Sequence, residues 1–100
     1  MSEPATETFD EWASWFKVLA DGTRLRVLHH LAGLDGPVTV GDLAEALGLT
    51  QPNVSHHLKV LGEQRFVLTE REGVRTLVRV NPNCMSALPE AAAAIMRAAG

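Results

Sequence analysis

Five polar side chains lie close together between residues 51 and 59, and their chemistry suits recognition of nucleic acid. They are two amides, a hydroxyl, an imidazole and an ammonium: Gln51, Asn53, Ser55, His56 and Lys59. Amides and hydroxyls hydrogen-bond to base edges, and lysine neutralises phosphate. Between them Val54, Leu58 and Leu61 are spaced four and three residues apart, so they share one face of a helix. An apolar inner face and a polar outer face predict a helix that fits the DNA major groove.

Short helices with defined ends must position these side chains. Thr50 is placed to cap the polar helix, and Thr39 is placed to cap a supporting helix that spans Asp42 to Leu47. Gly48 stands where a helix terminus favours a left-handed residue. The stretch from Val38 to Lys59 therefore predicts a helix-turn-helix, with Val38 to Val40 as a possible strand edge.

Two β-branched runs follow, Val67–Thr69 and Thr76–Val80. The polar residues between them include Gly73 at a turn position, which predicts a β-hairpin. Arg71 and Arg75 lie at its tip, and we expect them to contact the DNA backbone or minor groove. The alternative is a hairpin tip that is only solvated.

The charge is distributed unevenly along the chain. The net charge is −3, yet residues 50–80 hold five basic and three acidic residues, a local balance of +2. Residues 1–49 hold three basic and eight acidic residues, a balance of −5. This pattern predicts a local phosphate-binding face and salt-dependent binding. The overall acidity also favours a rival interpretation, a protein-interaction module that does not bind DNA.

Length and composition limit the class of protein. One hundred residues, 46% of them hydrophobic, predict a single domain over residues 8–100 after a disordered terminus at residues 1–7. We expect a cytoplasmic protein without a membrane partner, because there is one cysteine, no leader pattern and no long apolar run. No nucleophile–base spacing or phosphate-binding loop is present, so we expect no enzymatic activity.

The first helix is predicted to begin with a capping box at Thr8 and to run to about Ala20. We expect one of its apolar stripes to face the core: Phe9, Trp12, Phe16 and Leu19. A second stripe, Trp15 and Val18, predicts cover by a second copy of the chain. The alternative is that Trp15 is a half-exposed surface residue.

The second helix is predicted from Gly22 to about Ala32, with Asp21 as its cap. Its expected buried residues are Leu25, Leu28 and Ala32, flanked by Leu31. We interpret Arg24 and Arg26 as solvated or core-bridging charges rather than DNA contacts.

The last helix is predicted to begin either at Pro82, after an Asn81 cap, or at Ser86, which would place Pro89 in a first turn. Its alanine-rich composition lets two helices approach closely, so we expect it to pair with the first helix or with its copy. The predicted dimer interface comprises Trp12, Trp15, Leu88, Ala92, Ile95 and Met96.

The segments Leu19–Leu28, Asp42–Leu49 and Gln51–Leu61, with the hairpin around Gly73, resemble the ArsR/SmtB family of bacterial winged-helix regulators. The resemblance covers about Phe16 to Asn81. It implies a mostly α fold with a small β-hairpin, a winged helix-turn-helix of order α-α-α-α-β-β-α. It also implies a homodimer, joined through its first and last helices, that binds an inverted-repeat operator and usually represses. The predicted DNA-binding residues are Thr50, Gln51, Asn53, Ser55, His56, Lys59, Arg71 and Arg75.

The chain departs from the family pattern where ligands act. A Cys-x-Cys that many members carry before the supporting helix is replaced by Thr39 and Gly41. Other members carry metal-ligating residues on the last helix. Here residues 81–100 contain no histidine and one acid, Glu90. Arg65 stands where the family usually ends the polar helix with glycine, so we expect that turn to close differently.

No cofactor is predicted, and three inputs compete. They are a non-standard nickel or zinc site using His29 or His30, a redox response of Cys84, and a separate protein co-regulator. Neither adjacent histidine pair can chelate one ion alone, because neighbouring helical residues point about 100° apart. We expect His57 to be a satisfied core or near-core residue.

Overall fold

The computed structural model describes residues 3–97, apart from the side chain of Met85. Within that range the order of elements confirms the predicted winged helix-turn-helix. The possible strand edge at Val38 to Val40 is a short strand over Val38–Thr39, whereas Val40 is helical. The elements are α1 (Thr6–Leu19), α2 (Gly22–Ala32), β1 (Val38–Thr39), α3 (Val40–Leu47), α4 (Gln51–Glu63), β2 (Val67–Glu72), β3 (Arg75–Val80) and α5 (Pro82–Met96).

Helix α1 begins earlier than its sequence suggests. Ala5 is the N-cap and offers no side-chain cap, and the N–H of Thr8 already donates to the Ala5 carbonyl at 3.0 Å. The predicted capping box at Thr8 is therefore wrong, because the helix is established one turn before it. Thr6 and Glu7, which the sequence assigned to a disordered terminus, are helical. Met1 and Ser2 lie outside the described residues.

The two apolar stripes of α1 follow the prediction only in part: Leu19 is buried as expected, but the rest of its stripe is exposed or half-buried. Trp15 and Val18 pack against the buried core beside Leu19, whereas Phe9 and Phe16 are 42% and 38% exposed. Helix α1 packs on α2 and α4, and those neighbours select the Trp15 side. The apolar surface of α1 that lacks cover is thus the one that carries Phe9 and Phe16.

The buried face of helix α2 was predicted in part: Leu31 is buried and Leu28 packs against the core, as expected. Asp21 caps it as expected, accepting from the Arg24 N–H at 3.1 Å. Its buried residues, however, are Val27 and Leu31, while Leu25 is 49% exposed. Apolar residues occur on several sides of this helix, and its packing against α4 and β3 decides which of them is buried.

The two arginines of α2 bridge helices, which confirms their interpretation as structural charges. The Nε of Arg24 donates to the Val18 carbonyl at 2.8 Å, at the end of α1. Arg26 donates to the Leu47 carbonyl at 3.1 Å, at the end of α3. Basic side chains at helix C-termini satisfy carbonyls that lack intrahelical partners.

The hairpin continues further than the β-branched residues alone predict. Strands β2 and β3 are antiparallel, and their register pairs Glu72 with Arg75, which leaves Gly73 and Val74 as a two-residue turn. Gly73 has φ of 63°, as such turns require. Strand β1 pairs with the other edge of β3, so β3 is the central strand.

Helix α5 begins at Pro82, which decides between the two predicted starts. The Oδ1 of Asn81 accepts from the Asn83 N–H at 3.1 Å and caps the helix. Pro89 consequently lies inside α5, where its ring nitrogen has no hydrogen to donate to the preceding turn. The predicted start at Ser86 is wrong, because the Asn81 cap already supplies the first turn.

The turn after α4 closes in a left-handed conformation although it contains no glycine. Arg65 has φ of 60°, and the Phe66 N–H returns to the Leu61 carbonyl at 3.0 Å. The Nδ2 of Asn81 donates to the Arg65 carbonyl at 2.8 Å and holds this geometry. The expectation that the turn closes differently is therefore wrong, and Arg65 is conformationally strained.

We expect Arg65→Gly to raise the free energy of unfolding by about 1 kcal/mol, because glycine adopts this φ without strain. Urea unfolding followed by circular dichroism measures it. Arg79→Gly is the matched control, since Arg79 lies in β3, where glycine lowers stability by roughly 0.5–1 kcal/mol. Destabilisation by both variants would contradict the prediction.

The core lies between α2, α3, α4 and the sheet. Its fully buried side chains are Phe66, Leu31, Leu43, Leu61, Val27, Val54 and Val78. The molecule is elongated, 49 × 23 × 22 Å, and its radius of gyration is 15.1 Å. A globular chain of this length has about 13 Å. No helix within residues 3–97 combines the length and apolar character that crossing a membrane requires.

Candidate nucleic-acid interface

Helix α4 presents its polar face to solvent, as the sequence predicts. Val54 and Leu61 are fully buried and Leu58 is 5% exposed, which fixes the rotation of the helix about its axis. The predicted base- and phosphate-facing side chains are all exposed: Thr50, Gln51, Asn53, Ser55, His56 and Lys59. All six residues are therefore open to solvent around the sides of α4 that do not pack against the core.

Local capping fixes the angle between α3 and α4. Thr39 accepts from the Asp42 N–H at 3.1 Å, and Thr50 accepts from the Asn53 N–H at 3.3 Å. Gly48 has φ of 68°, and the turn it forms closes α3. These contacts confirm the predicted helix-turn-helix, and they place the start of α4 beside the start of α3.

A close approach between the two helices positions Gln51. A Cβ added to Gly41 would lie 3.3 Å from the Nε2 of Gln51. Such a distance is tighter than ordinary contact, so the missing side chain gives Gln51 room against the first turn of α3. Sequence analysis did not identify Gly41 as a positioning residue.

A concave surface that encloses a volume of about 1010 Å³ on its open side lies between α4 and the hairpin. Positive side chains line this concave surface. Lys59 projects from α4, Arg65 lies in the following turn, and Arg71 and Arg75 come from the hairpin. Glu63 is the acidic side chain among the lining residues, so four basic residues face one acidic residue. Arg65 contributed to the predicted basic balance of residues 50–80, but it was not among the predicted DNA-binding residues.

The hairpin arginines have partners within the hairpin. Arg75 forms an ion pair with Glu72, and both side chains are more than half exposed. Arg71 makes a long hydrogen bond of 3.5 Å to the Thr76 hydroxyl. An exposed ion pair contributes about 0–1 kcal/mol, so a phosphate can replace Glu72 at little cost. Contact of Arg71 and Arg75 with DNA stays a prediction.

The two histidines of α4 differ in environment. His56 is exposed, whereas His57 is half-buried, and the ring centroids are 5.5 Å apart. The Nδ1 of His57 is buried and finds no hydrogen-bond partner among the described residues. His57 is therefore near the core as expected, but the expectation that it is fully satisfied is wrong.

Asp21 lies near His57, at the start of α2. The pKa of its carboxyl is lowered mainly by the hydrogen bond from the Arg24 N–H; partial desolvation opposes this shift, and the positive charge of Arg24 reinforces it. The N-cap therefore stays ionised to lower pH than an ordinary aspartate.

The residues considered for sensing are separate from the basic surface. In the part of the chain that the structure describes, no three His, Cys, Asp or Glu side chains come together in a way that could hold a metal ion. His29 and His30 thus gain no third ligand. The thiol of Cys84 donates to the Arg65 carbonyl at 3.1 Å, and burial raises its pKa. A protonated thiol is a poor nucleophile.

The residues at the family's two common metal positions are among the described residues. Thr39 accepts the cap hydrogen bond with its hydroxyl, and Gly41 has no side chain. Glu90 is the acidic residue of α5. That the chain lacks these two metal sites stays a prediction.

The predicted dimer residues divide into two groups. Trp15 and Leu88 pack against the core of their own chain, and Trp12 meets Phe9 edge-on with centroids 5.6 Å apart. Ile95 is 43% and Met96 is 76% exposed, and Ala92 is half-buried beside them in α5. The last two turns of α5 therefore carry the exposed part of the predicted interface.

Comparison with known proteins gives consistent results. A family model described as a bacterial regulatory protein of the arsR family matches residues 21–69. The regulator Rv2034 of Mycobacterium tuberculosis is 41% identical over 73 residues, which cover 73% of this chain and 66% of Rv2034.

Two solved structures resemble the fold. The antimony-specific transcriptional repressor AntR superposes with a TM-score of 0.75 and 33% identity, over 98% of this chain and 88% of AntR. The homodimeric winged helix-turn-helix DNA-binding domain Mb0332 of Mycobacterium bovis superposes with a TM-score of 0.73 and 25% identity. The match covers 100% of this chain and 94% of Mb0332. Five curated relatives are 38% to 44% identical to this chain, and the chain spans 48% to 66% of their own lengths.

Proposed function

This chain belongs to the arsR family of bacterial regulatory proteins, and we propose that it binds operator DNA as a homodimeric transcriptional repressor in the cytoplasm. The family consists of transcriptional regulators, and we infer that the chain has no enzymatic activity. The observation that carries the proposal is the polar face of α4 beside a concave surface with four basic side chains and one acidic side chain.

We infer different tasks for the two parts of this surface. Helix α4 supplies short polar side chains, which suit base edges in the major groove. Lys59, Arg65 and the hairpin arginines line the concave surface on the hairpin side of that helix, which suits contact with phosphates there. Because the rest of the chain is acidic, this compact basic surface also disfavours binding of DNA elsewhere on the protein.

Uncovered apolar surface supports the homodimer. Phe9 and Phe16 of α1 and Ile95 and Met96 of α5 are exposed, and the molecule is longer than a globular chain of its size. The guanidinium of Arg97 lies 3.6 Å from the carboxylate of Glu3, so the end of α5 is close to the segment that precedes α1. A second copy would cover such a patch symmetrically.

We propose that the regulatory input does not use the family's two common metal positions, since the residues at those positions lack suitable donors. A non-standard nickel or zinc site at His29 or His30, a Cys84 response and a protein co-regulator remain distinct outcomes of one experiment. That experiment is a gel shift on DNA from the gene's upstream region, with a chelator, nickel, zinc and an oxidant as separate additions.

We expect retarded complexes whose affinity falls steeply between about 50 and 200 mM salt, because phosphate contacts release counterions. Indifference to every addition would support an input other than metal or redox chemistry. Loss of the complex with one metal would instead direct the search to His29 and His30. An absence of binding at low salt would overturn the proposed function and favour the protein-interaction module.

A further inference from the structure

A second cavity lies behind the basic surface, between α2 and α5. Its volume is about 380 Å³, and its walls come from α2, the start of the hairpin, β3 and α5. Leu25 and Ala32 line the α2 side, Phe66 lies at the base of the hairpin, and Leu88 and Pro89 line the α5 side. Several elements therefore line a concave apolar site that is open to solvent.

The lining specifies the chemistry of an occupant. No charged side chain lines the cavity, and its polar groups are the imidazole of His29 and the thiol of Cys84. That thiol already donates to the Arg65 carbonyl, which leaves His29 as the group free to hydrogen-bond. Burying a charge in such a site without a partner is costly, so the occupant is uncharged and mostly apolar.

The size of the cavity suits a small molecule. One turn of helix with its side chains, about 10 Å across and 5.4 Å high, occupies roughly 400 Å³. The whole cavity is no larger than that, whereas small-molecule sites measure roughly 300–1,000 Å³. The cavity also adjoins the first half of α5, away from Ile95 and Met96 in its last turns.

The cavity adjoins the turn that ends α4. Phe66 lines it directly after the strained Arg65, and Cys84, another lining residue, donates to the Arg65 carbonyl. Asn81 holds the same carbonyl from the start of α5. An occupant that moves α5 away from α2 would disturb these hydrogen bonds, and through them the turn that orients α4.

We propose that this cavity binds a small, uncharged, mostly apolar molecule, and that its binding weakens the attachment of α4 to DNA. The second half of this inference rests on the proposed function. The first half does not, because ligand binding can be measured without DNA.

The experiment titrates the full chain with N-phenyl-1-naphthylamine, an uncharged apolar probe that fluoresces when it leaves water. Leu25→Gln places an amide at the mouth of the cavity, and Ala32→Phe fills its volume. Leu25 is already half-exposed, so its variant keeps the fold. Leu34→Gln is the matched control, since Leu34 is 38% exposed and does not line the cavity.

We expect saturable binding of one probe per chain, unchanged in Leu34→Gln, about tenfold weaker in Leu25→Gln and abolished in Ala32→Phe. Absence of saturable binding, or equal binding by all variants, would overturn the site. So would binding that persists in Leu25→Gln but is lost in Phe16→Gln, because the probe would then occupy the exposed surface of α1.

A gel shift with saturating probe tests the second half. We expect DNA affinity to fall at least about fivefold in the unchanged chain and in Leu34→Gln, and to stay constant in Leu25→Gln. Unchanged DNA affinity with bound probe would overturn the coupling. Absence of any DNA binding without the probe would instead be a failure of the proposed function, and the fluorescence titration would still decide the site.

Discussion

The Lys59→Ala variant is expected to bind every DNA sequence roughly tenfold more weakly at low salt, and to flatten the dependence of log affinity on log salt by about 0.9. Lys59 is exposed at the edge of α4 and lines the concave basic surface. Its ammonium is a mobile point charge, which suits phosphate rather than a particular base. Fluorescence anisotropy with operator and random duplexes over a range of salt concentrations measures both quantities.

Gln51→Ala is the informative partner to that variant. Gln51 lies against the first turn of α3, so its amide is positioned to hydrogen-bond a base edge. We expect it to lower affinity for the operator by about 1–3 kcal/mol while leaving random DNA almost unaffected. Lys17→Ala, which removes an exposed lysine from α1, controls for net charge. Equal losses on operator and random DNA for both variants would refute this division of roles.

The Leu61→Ala variant is expected to lower the free energy of unfolding by about 3–4 kcal/mol. Leu61 is fully buried, lies in the last turns of α4, and its carbonyl accepts from the Phe66 N–H. Truncation removes transfer free energy and leaves a cavity in the packed core. Because a domain of this size has a total stability of about 5–15 kcal/mol, the loss is a large share of it.

Denaturant unfolding at neutral pH measures this change, provided that the slope of unfolding free energy against denaturant concentration is the same in both variants. Leu34→Ala is the control: the same truncation at a 38% exposed loop position should cost less than about 0.5 kcal/mol. A loss below about 1 kcal/mol in Leu61→Ala would show that α4 is not integral to the core. Its rotation would then not be fixed by packing.

Contacts over three or four residues explain why part of this structure was predictable. The caps at Asp21, Thr39 and Thr50 and the left-handed Gly48 all appear as expected. Each depends on atoms within one turn of the chain, so residue type and spacing are sufficient. The rotation of α4 was predictable for a related reason: Val54, Leu58 and Leu61 form its one apolar face, and its other sides are mostly polar.

The buried faces of helices α1 and α2 were predicted only in part, because each helix has apolar residues on more than one side. Periodicity shows that Phe9 and Trp15 lie on different stripes, but it does not show which stripe meets the core. Packing on α2 and α4 selects Trp15, and packing on α4 and β3 selects Val27 over Leu25. That choice depends on elements distant in the chain.

The sequence by itself determined the order of the elements, the helix-turn-helix with its caps and the identity of the polar face, because these follow from local hydrogen bonds and from one unambiguous apolar face. Tertiary structure alone decided the strained conformation of Arg65, which Asn81 holds from 16 residues away. It alone brought Arg65 beside Lys59, and enclosed the apolar cavity between α2 and α5. Both surfaces join residues from separate elements, and only the packing of those elements determines their distance.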